Sequence, residues 1–213
     1  MFPFSSQSPQ RRLRLSLGIT GTLAALTVAV LPAASAQASL LSTGACNDAT
    51  LSQPFAQWGD SNSYELVPGG NFEGSLSGWT VSRGAQRVTG SEPYGATGSV
   101  GSYSLSLPAG TSVQSPYTCV NASYPSFRLF ARNNGVLSTV LVQVVYKTGL
   151  GIAVPLPVGA IALSSEWQPT LPLLTASAIT GLLSGGTTQV ALRFTALTGS
   201  SRIDDVFIDP RMR

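Results

Sequence analysis

Carboxylates near the two ends of the chain are the residues whose types and spacing most clearly suggest chemistry. Glu73 follows a turn-forming pair of glycines, and Asp204 and Asp205 stand together between apolar residues close to the end of the chain. If the first and last strands of one domain are neighbours, these carboxylates converge. They could then hold calcium, which takes about six to eight oxygen ligands. The alternative is that they form salt bridges with Arg202 or Arg83 and bind no metal.

The second chemical feature is an absence, because the sequence contains no histidine. This excludes Ser-His-Asp and Cys-His nucleophilic machinery and His-ligated zinc. A pair of carboxylates acting on a glycosidic bond remains available, and Glu92 and Glu166 are the candidates. Both lie in predicted loops, where a carboxylate is usually only solvated, so we expect no enzymatic activity.

The first 36 residues have the composition of a secretory signal. A stretch with three arginines precedes an uncharged apolar run, Leu15–Leu31, and Ala34-Ser35-Ala36 provides a small-residue cleavage site. The alternative is a membrane anchor that is not cleaved, but the run is slightly shorter than the ~18–20 residues that a spanning helix prefers. We therefore expect a secreted protein with no membrane segment after cleavage.

The charge balance changes when this segment is set aside. Three of the 12 Lys and Arg residues lie within positions 1–36, and none of the nine Asp and Glu residues does. The remaining chain is therefore close to neutral. This argues against nucleic acid as a partner, because affinity for nucleic acid comes largely from phosphate neutralisation by Lys and Arg. It argues equally against an anionic membrane surface.

Cys46 and Cys119 are the two cysteines of the chain, and both follow the cleavage site. In an exported protein the expected outcome is one disulfide. It would close a loop of ~74 residues and contribute ~4 kcal/mol in the chain-entropy model. The alternative for Cys46 is a lipid-modified N-terminus.

Between the signal and the first strand, residues 37–63 are small and polar but contain Phe55 and Trp58. Two large aromatic residues so close together are unusual in a free linker, so this segment is predicted to be an irregular arm laid over the domain. The folded domain itself is predicted to span residues 64–213.

The rest of the chain shows roughly ten short strand-like stretches separated by turn signals. Tyr103–Leu107 alternates strictly between polar and apolar residues, which predicts a half-buried strand. Thr139–Lys147 is a nearly continuous run of apolar and β-branched residues, which predicts a central strand buried on both faces. Ile152–Val158 carries two prolines and is predicted to be an edge strand or a bulge. The pattern predicts an all-β fold, an antiparallel β-sandwich of the jelly-roll type in one domain with an N-terminal arm.

Several motifs occur in a specific order in this strand-rich chain. They are Gly70-Asn71-Phe72-Glu73-Gly74, Gly78-Trp79, Gly101-Ser102-Tyr103-Ser104-Leu105 and Ile203-Asp204-Asp205-Val206. In this order and spacing they resemble the carbohydrate-binding-module type of galactose-binding-like jelly roll over roughly residues 64–209. The resemblance implies a structural calcium held by Glu73, a carbonyl near Ser102 and Asp205 or Asp204.

The resemblance also implies a glycan ligand, bound by exposed aromatic rings and by amide or charged side chains. The candidate ligand-binding residues are Tyr94, Arg128, Arg132, Gln143, Tyr146 and Trp167. The chain holds only 3 Trp, 6 Tyr and 8 Phe, and the core needs several of them, so no extended aromatic platform is expected.

The sequence as a whole predicts a secreted, non-catalytic β-sandwich that binds an extracellular polysaccharide or another surface polymer. It predicts no cofactor apart from the structural calcium. The alternative is a structural or interaction protein of the cell surface that has no sugar ligand.

Overall fold

A computed structural model describes residues 50–121, 126–135, 137–148, 150–174 and 187–210. Over these ranges the chain forms β-strands and one 3₁₀ turn, Ala56–Trp58, and no α-helix. The strands are β1 (Leu51–Ser52), β2 (Tyr64–Leu66), β3 (Thr80–Val81), β4 (Gln86–Thr89), β5 (Tyr103–Leu107), β6 (Ser112–Gln114), β7 (Thr118–Asn121), β8 (Ser126–Asn133), β9 (Ser138–Lys147), β10 (Ala153–Leu163), β11 (Gln168–Pro169), β12 (Leu173–Leu174), β13 (Thr187–Thr198) and β14 (Ser201–Asp209).

The strands form two antiparallel sheets. In the first sheet, the order β1-β2-β14-β5-β4 is extended by β8, which pairs with the other side of β14 and also with β11 and β12. In the second sheet the order is β10-β9-β13-β6-β3, and β7 also pairs with β13. This architecture confirms the predicted all-β antiparallel sandwich. The described residues contain no helix long and apolar enough to cross a membrane.

The core lies between the inner faces of the two sheets. Alternation along β9 turns Val140, Val142 and Val144 inward, where they join residues of the first sheet such as Phe127 and Ile203. The prediction that this strand is buried on both faces was therefore wrong in part. On its other face Val145 is fully buried, but Leu141 and Gln143 are half-buried and Lys147 is exposed. β10 does lie at an edge, and its pairing shifts register between Pro157 and Gly159.

The first and last strands of the folded domain are neighbours, since β2 pairs with β14. Just after β2, the Val67 N–H donates to the Val206 carbonyl at 2.9 Å, and the Val206 N–H donates to the Gly70 carbonyl at 3.0 Å. A Cβ on Gly70 would lie 2.8 Å from the Val206 carbonyl oxygen and 2.9 Å from that of Val67. Only glycine permits this close approach without displacement of the backbone.

The described part of the N-terminal arm, residues 50–63, packs on the outer face of the first sheet. Phe55 is fully buried there, and its ring lies 5.5 Å from the rings of Phe130 and Phe207 and 5.1 Å from that of Tyr64. Trp58 covers Phe130 at a centroid distance of 5.4 Å. The arm thus forms a second, smaller core on this face. The predicted signal and the first part of the arm, with Cys46, lie outside the described residues.

Candidate functional site

The outer face of the first sheet, here called the closed face, holds several of the predicted ligand-binding residues in internal contacts. Arg128 is buried, and its Nη1 donates to Asp60 Oδ2 at 2.6 Å. Its guanidinium carbon lies 4.1 Å from the centroid of the Phe55 ring, and its Nε donates to the Thr170 carbonyl at 2.7 Å. Arg128 therefore holds the arm to the sheet, and its contacts leave little capacity for a ligand.

Tyr94 and Trp167 belong to the same closed face. The Tyr94 hydroxyl donates to the Trp167 carbonyl at 2.9 Å, and the Tyr94 ring lies 5.1 Å from that of Trp58. Tyr94 is 39% exposed, whereas Trp167 is only 7% exposed. Arg132 lies alongside, with its guanidinium carbon 6.0 Å from the centroid of the Trp167 ring. Among these residues, Tyr94 and Arg132 keep accessible surface.

The two candidates on β9 lie on opposite faces of the second sheet. Tyr146 points inward and belongs to the main core, with 7% of its surface exposed. Gln143 lies on the outer face, where it is half-buried. The structure therefore distributes the predicted ligand residues over three places and does not bring them together as one site.

Gln143 is part of a row of polar side chains that crosses three adjacent strands. Its cross-strand partner on β13 is Arg193, and the partner of Arg193 on β6 is Gln114. Arg193 Nε and Nη2 both donate to Gln114 Oε1, at 3.2 and 2.8 Å. Because β-strands lie ~4.8 Å apart, this row extends ~10 Å across the sheet. The amide of Gln114 fixes the orientation of the guanidinium.

Tyr117 and Lys147 complete this cluster, which we call the Tyr117 site and which consists of Gln114, Tyr117, Gln143, Lys147 and Arg193. The Lys147 ammonium lies 4.5 Å from the centroid of the Tyr117 ring, a cation–π contact. Burial raises the pKa of the Tyr117 hydroxyl, and the charge of Arg193 acts in the opposite direction. One aromatic ring thus lies within the influence of two cations.

The sequence contained a partial signal for the Tyr117 site. Alternation along β13 turns Val190, Leu192 and Phe194 into the core, so Arg193 must face outward. Its partnership with Gln143 could not be foreseen, because the register between β9 and β13 depends on contacts far apart in the chain. Tyr117 lies in the connection before β7, where no periodicity identifies the orientation of a side chain.

A second group of polar residues, here called the acidic cluster, consists of Glu73, Glu92, Asp204 and Asp205. It lies where β14 changes its partner from β5 to β2, at a break in register between Asp204 and Phe207. Asp205 adopts a positive φ of 44° at this point. Glu92, Asp204 and Asp205 are buried.

The acidic cluster holds both ends of the loop between β4 and β5. Asp204 Oδ2 accepts hydrogen bonds from Ser91 Oγ at 2.6 Å and from the Glu92 N–H at 2.9 Å. Glu73 Oε1 accepts from the N–H groups of Ser102 and Tyr103 at 2.8 and 2.9 Å. These bonds attach the loop to β14 and to the segment that follows β2.

Burial and mutual repulsion change the ionisation of the two aspartates. Burial raises the pKa of Asp204 to about 7, although hydrogen bonds from Ser91 and from the backbone favour its charged form. Burial also raises the pKa of Asp205, and the charges of Asp204 and Glu92 raise it further. Within the described residues no ion pair neutralises this cluster. Arg202, a predicted salt-bridge partner, instead donates from Nη2 to the Thr89 carbonyl at 2.9 Å.

The predicted calcium ligands do not form a complete cage in the described part of the chain. No group of three or more His, Cys, Asp or Glu side chains there is arranged to hold a metal ion. Asp204 accepts hydrogen bonds with both carboxylate oxygens, and the Ser102 carbonyl accepts from the Gly90 N–H at 2.8 Å. Among the described residues no donor holds Glu73 Oε2, whereas the Asp205 carboxyl is hydrogen-bonded to that of Glu92, which helps to raise its pKa. Glu73 and Asp205 are the two carboxylates that remain candidates for calcium. Calcium binding by these two residues stays a prediction.

The two carboxylates considered for glycoside chemistry lie in different environments. Glu92 is fully buried, and its carboxylate accepts hydrogen bonds from the backbone N–H groups of Tyr94 and Ala96. Glu166 is exposed in the segment between β10 and β11. The structure gives Glu92 a role in fixing its own loop.

Cys119 lies on β7, where its cross-strand partner is Gln189. The described residues contain no free cysteine. Because Cys46 lies outside those residues, the Cys46–Cys119 disulfide stays a prediction.

Comparison with known proteins gives similarity in structure only. No family model matches the chain, and no curated protein matches it. One similar structure contains the CBM22-1 and GH10 modules of Clostridium thermocellum endo-1,4-beta-D-xylanase 10B complexed with xylohexaose. Its sequence is 14% identical, the match covers 67% of this chain and 28% of that chain, and the TM-score is 0.49.

Two further structures are carbohydrate-binding modules that are matched over most of their length. The CBM22-1 xylan-binding domain from Paenibacillus barcinonensis Xyn10C is 14% identical, with 67% of this chain and 93% of that chain covered and a TM-score of 0.46. The family 11 carbohydrate-binding module of a Clostridium thermocellum cellulosomal cellulase is 11% identical, with 70% and 96% covered and a TM-score of 0.42. These modules are of the type that the sequence motifs resemble. At such values the similarity carries no information about a ligand.

Proposed function

We propose that this protein is a secreted, non-catalytic glycan-binding module whose ligand lies across the Tyr117 site. The observation that carries the proposal is the row Gln114–Arg193–Gln143 on the outer face of the second sheet, with the Tyr117 ring beside it. Amide and guanidinium groups can donate hydrogen bonds to sugar hydroxyls, and an aromatic ring provides an apolar surface for a sugar face. The strands that carry the row form a rigid support.

The Tyr117 site is organised before any ligand arrives. Arg193 is already held by two hydrogen bonds to Gln114, so binding costs less side-chain entropy than it would with a free guanidinium. A single ring offers little stacking area, and aromatic contacts of this kind contribute on the order of 1 kcal/mol. We therefore expect weak binding, which is sufficient for a module that attaches to a repetitive polymer.

Electrophoresis of the folded protein in native gels that contain polysaccharides tests the proposal. Neutral and acidic polymers are compared at equal concentration. Tyr117→Ala is expected to weaken retention roughly 5-fold on every polymer that retains the wild type, as the loss of about 1 kcal/mol implies. The matched control is Tyr94→Phe on the closed face, which removes the hydroxyl donor to Trp167 but keeps the ring contacts, and it should migrate like the wild type. Equal retention of Tyr117→Ala and the wild type would contradict this location of the site.

A surface-interaction protein without a sugar ligand is the second candidate function. It is favoured by the turn between β9 and β10, where Leu150 is 89% exposed and Ile152 is 58% exposed. Exposed apolar side chains mark a surface that contacts another protein when they belong to a contiguous patch, and these two stand only two residues apart. Lack of retention of the wild type on any polysaccharide would favour this candidate over glycan binding.

We also propose a structural calcium near Glu73 and Asp205, and a disulfide between Cys46 and Cys119. Both would act on stability, the first by binding only to the folded state and the second by restricting the unfolded chain.

A further inference from the structure

We propose that the ligand of the Tyr117 site is an acidic polysaccharide, a polymer whose sugar units carry carboxylates. The inference rests on the proposed function, since it specifies the chemical class of the glycan that this site takes. It follows from the distribution of charge over the second sheet.

The strands of the second sheet carry charge of one sign only. Lys147 and Arg193 are the charged residues within β3, β6, β7, β9, β10 and β13, and none of these strands contains Asp or Glu. Both cations lie on the outer face, Lys147 against the Tyr117 ring and Arg193 close enough for its charge to act on the Tyr117 hydroxyl. The strands of the second sheet thus present two cations and no carboxylate around the candidate site.

The cations are not neutralised by a described neighbour. Within the described residues, the ion pair between Arg128 and Asp60 lies on the closed face, and no ion pair there involves Lys147 or Arg193. The acidic cluster belongs to the first sheet and to the loop between β4 and β5. Screening by salt limits such interactions to about 8 Å under physiological conditions, so a carboxylate that a ligand delivers to the Tyr117 site itself can pair with these cations.

The geometry of Arg193 suits a carboxylate. Its Nε and one donor of Nη2 are directed at Gln114, which leaves Nη1 and the second Nη2 hydrogen for a ligand. Guanidinium groups bind carboxylates through paired, charge-assisted hydrogen bonds that are stronger than bonds between neutral groups. Lys147 supplies a second point charge, 4.5 Å from the centroid of the Tyr117 ring. A sugar that contacts Tyr117 would therefore place a carboxylate within reach of either cation.

The test compares polygalacturonate with neutral galactan, and with dextran sulfate as a polymer charged by sulfate groups, as ligands for the mature protein. Affinity gels are run at low and at physiological salt. We expect tighter retention on polygalacturonate, and we expect that retention to weaken as salt rises. Arg193→Gln should weaken it at least ~10-fold, the effect of losing a hydrogen bond between charged groups. Arg193→Lys keeps the charge but not the paired donors and should give an intermediate loss.

Two further variants make the comparison specific. Lys147→Gln should weaken retention on polygalacturonate by ~3-fold, as expected for an exposed charge, and should not change retention on galactan. The matched control is Arg83→Gln, which removes an exposed cation from the turn between β3 and β4. It should leave retention on polygalacturonate and on galactan unchanged. Thermal unfolding of each variant checks that it is folded.

The outcomes separate this inference from the proposed function. Retention on galactan that is weakened in Tyr117→Ala, without retention on polygalacturonate, would overturn the acidic ligand but leave glycan binding in place. Retention on dextran sulfate but not on polygalacturonate would overturn the assignment of carboxylates. If Arg193→Gln and Arg83→Gln lose retention on polygalacturonate to the same extent, the effect is one of overall charge, and this would also refute the inference. Lack of retention on every polymer would contradict both proposals.

Discussion

Raising the pH from about 5 to about 8 in the presence of a chelator is expected to destabilise this protein. The reason lies in Asp204, which is fully buried and has a pKa raised to about 7 from an ordinary value of 3.8. Its neutral form is favoured in the folded state. The stability that this carboxyl contributes is therefore complete below its unfolded pKa and is lost as the pH rises through about 7.

The size of the effect follows from the two pKa values. With 1.36 kcal/mol for each pKa unit, the carboxyl contributes ~2–3 kcal/mol less to the free energy of unfolding at pH 8 than at pH 5. Asp205 acts in the same direction, because its pKa is raised as well. For a chain of this length, the change corresponds to a decrease of roughly 5–10 °C in the unfolding temperature.

Differential scanning calorimetry at several pH values between these limits provides the assay, with EDTA present to remove divalent cations. The control is Asp204→Asn, which keeps an acceptor for Ser91 Oγ but cannot titrate, and its unfolding temperature should depend less on pH. An unfolding temperature of the wild type that is constant or rises between pH 5 and pH 8 would refute the assignment of a raised pKa to this cluster.

Three other perturbations have definite expected outcomes. Phe55→Ala removes the ring at the centre of the closed face and should destabilise the protein by ~3–5 kcal/mol, as measured by urea titration. It should not change retention on polysaccharide in an affinity gel. Loss of retention by the folded variant would contradict the separation of the two faces. If calcium binds at Glu73 and Asp205, adding it above pH 7 should raise the unfolding temperature, and Glu73→Gln should remove this response; no response in the wild type would favour a site without metal. Labelling of free thiols in unreduced, denatured protein should modify neither Cys46 nor Cys119, and two labelled cysteines would end the disulfide hypothesis.

The sequence predicted the fold well where local pattern and overall topology agree. Strict alternation in Tyr103–Leu107 identified a strand because one face of it is buried, and that strand is β5. The prolines of β10 predicted an edge because proline cannot take part in a ladder on both sides. Convergence of the carboxylates from the two ends of the domain required that its first and last strands be neighbours, and β2 does pair with β14.

The ligand-binding residues were harder to predict, since they depend on which face of a sheet is covered. Arg128 and Trp167 resemble binding residues in type, but the arm buries them together with Phe55. Tyr146 lies one residue from Lys147, yet the period of two in a strand turns its ring into the core. Burial by a distant segment and the parity of a strand decide these cases, and neither is visible in the composition of a short stretch.

The central claim is that a glycan binds at the Tyr117 site and not on the closed face. Mapping of backbone amide chemical shifts by NMR, during titration with soluble oligogalacturonate, tests it most directly. The largest shifts are expected at five residues, which should saturate together: Gln114, Tyr117, Gln143, Lys147 and Arg193. Shifts centred on Tyr94 and Trp167, or no shifts at concentrations at which the polymer retains the protein, would contradict it.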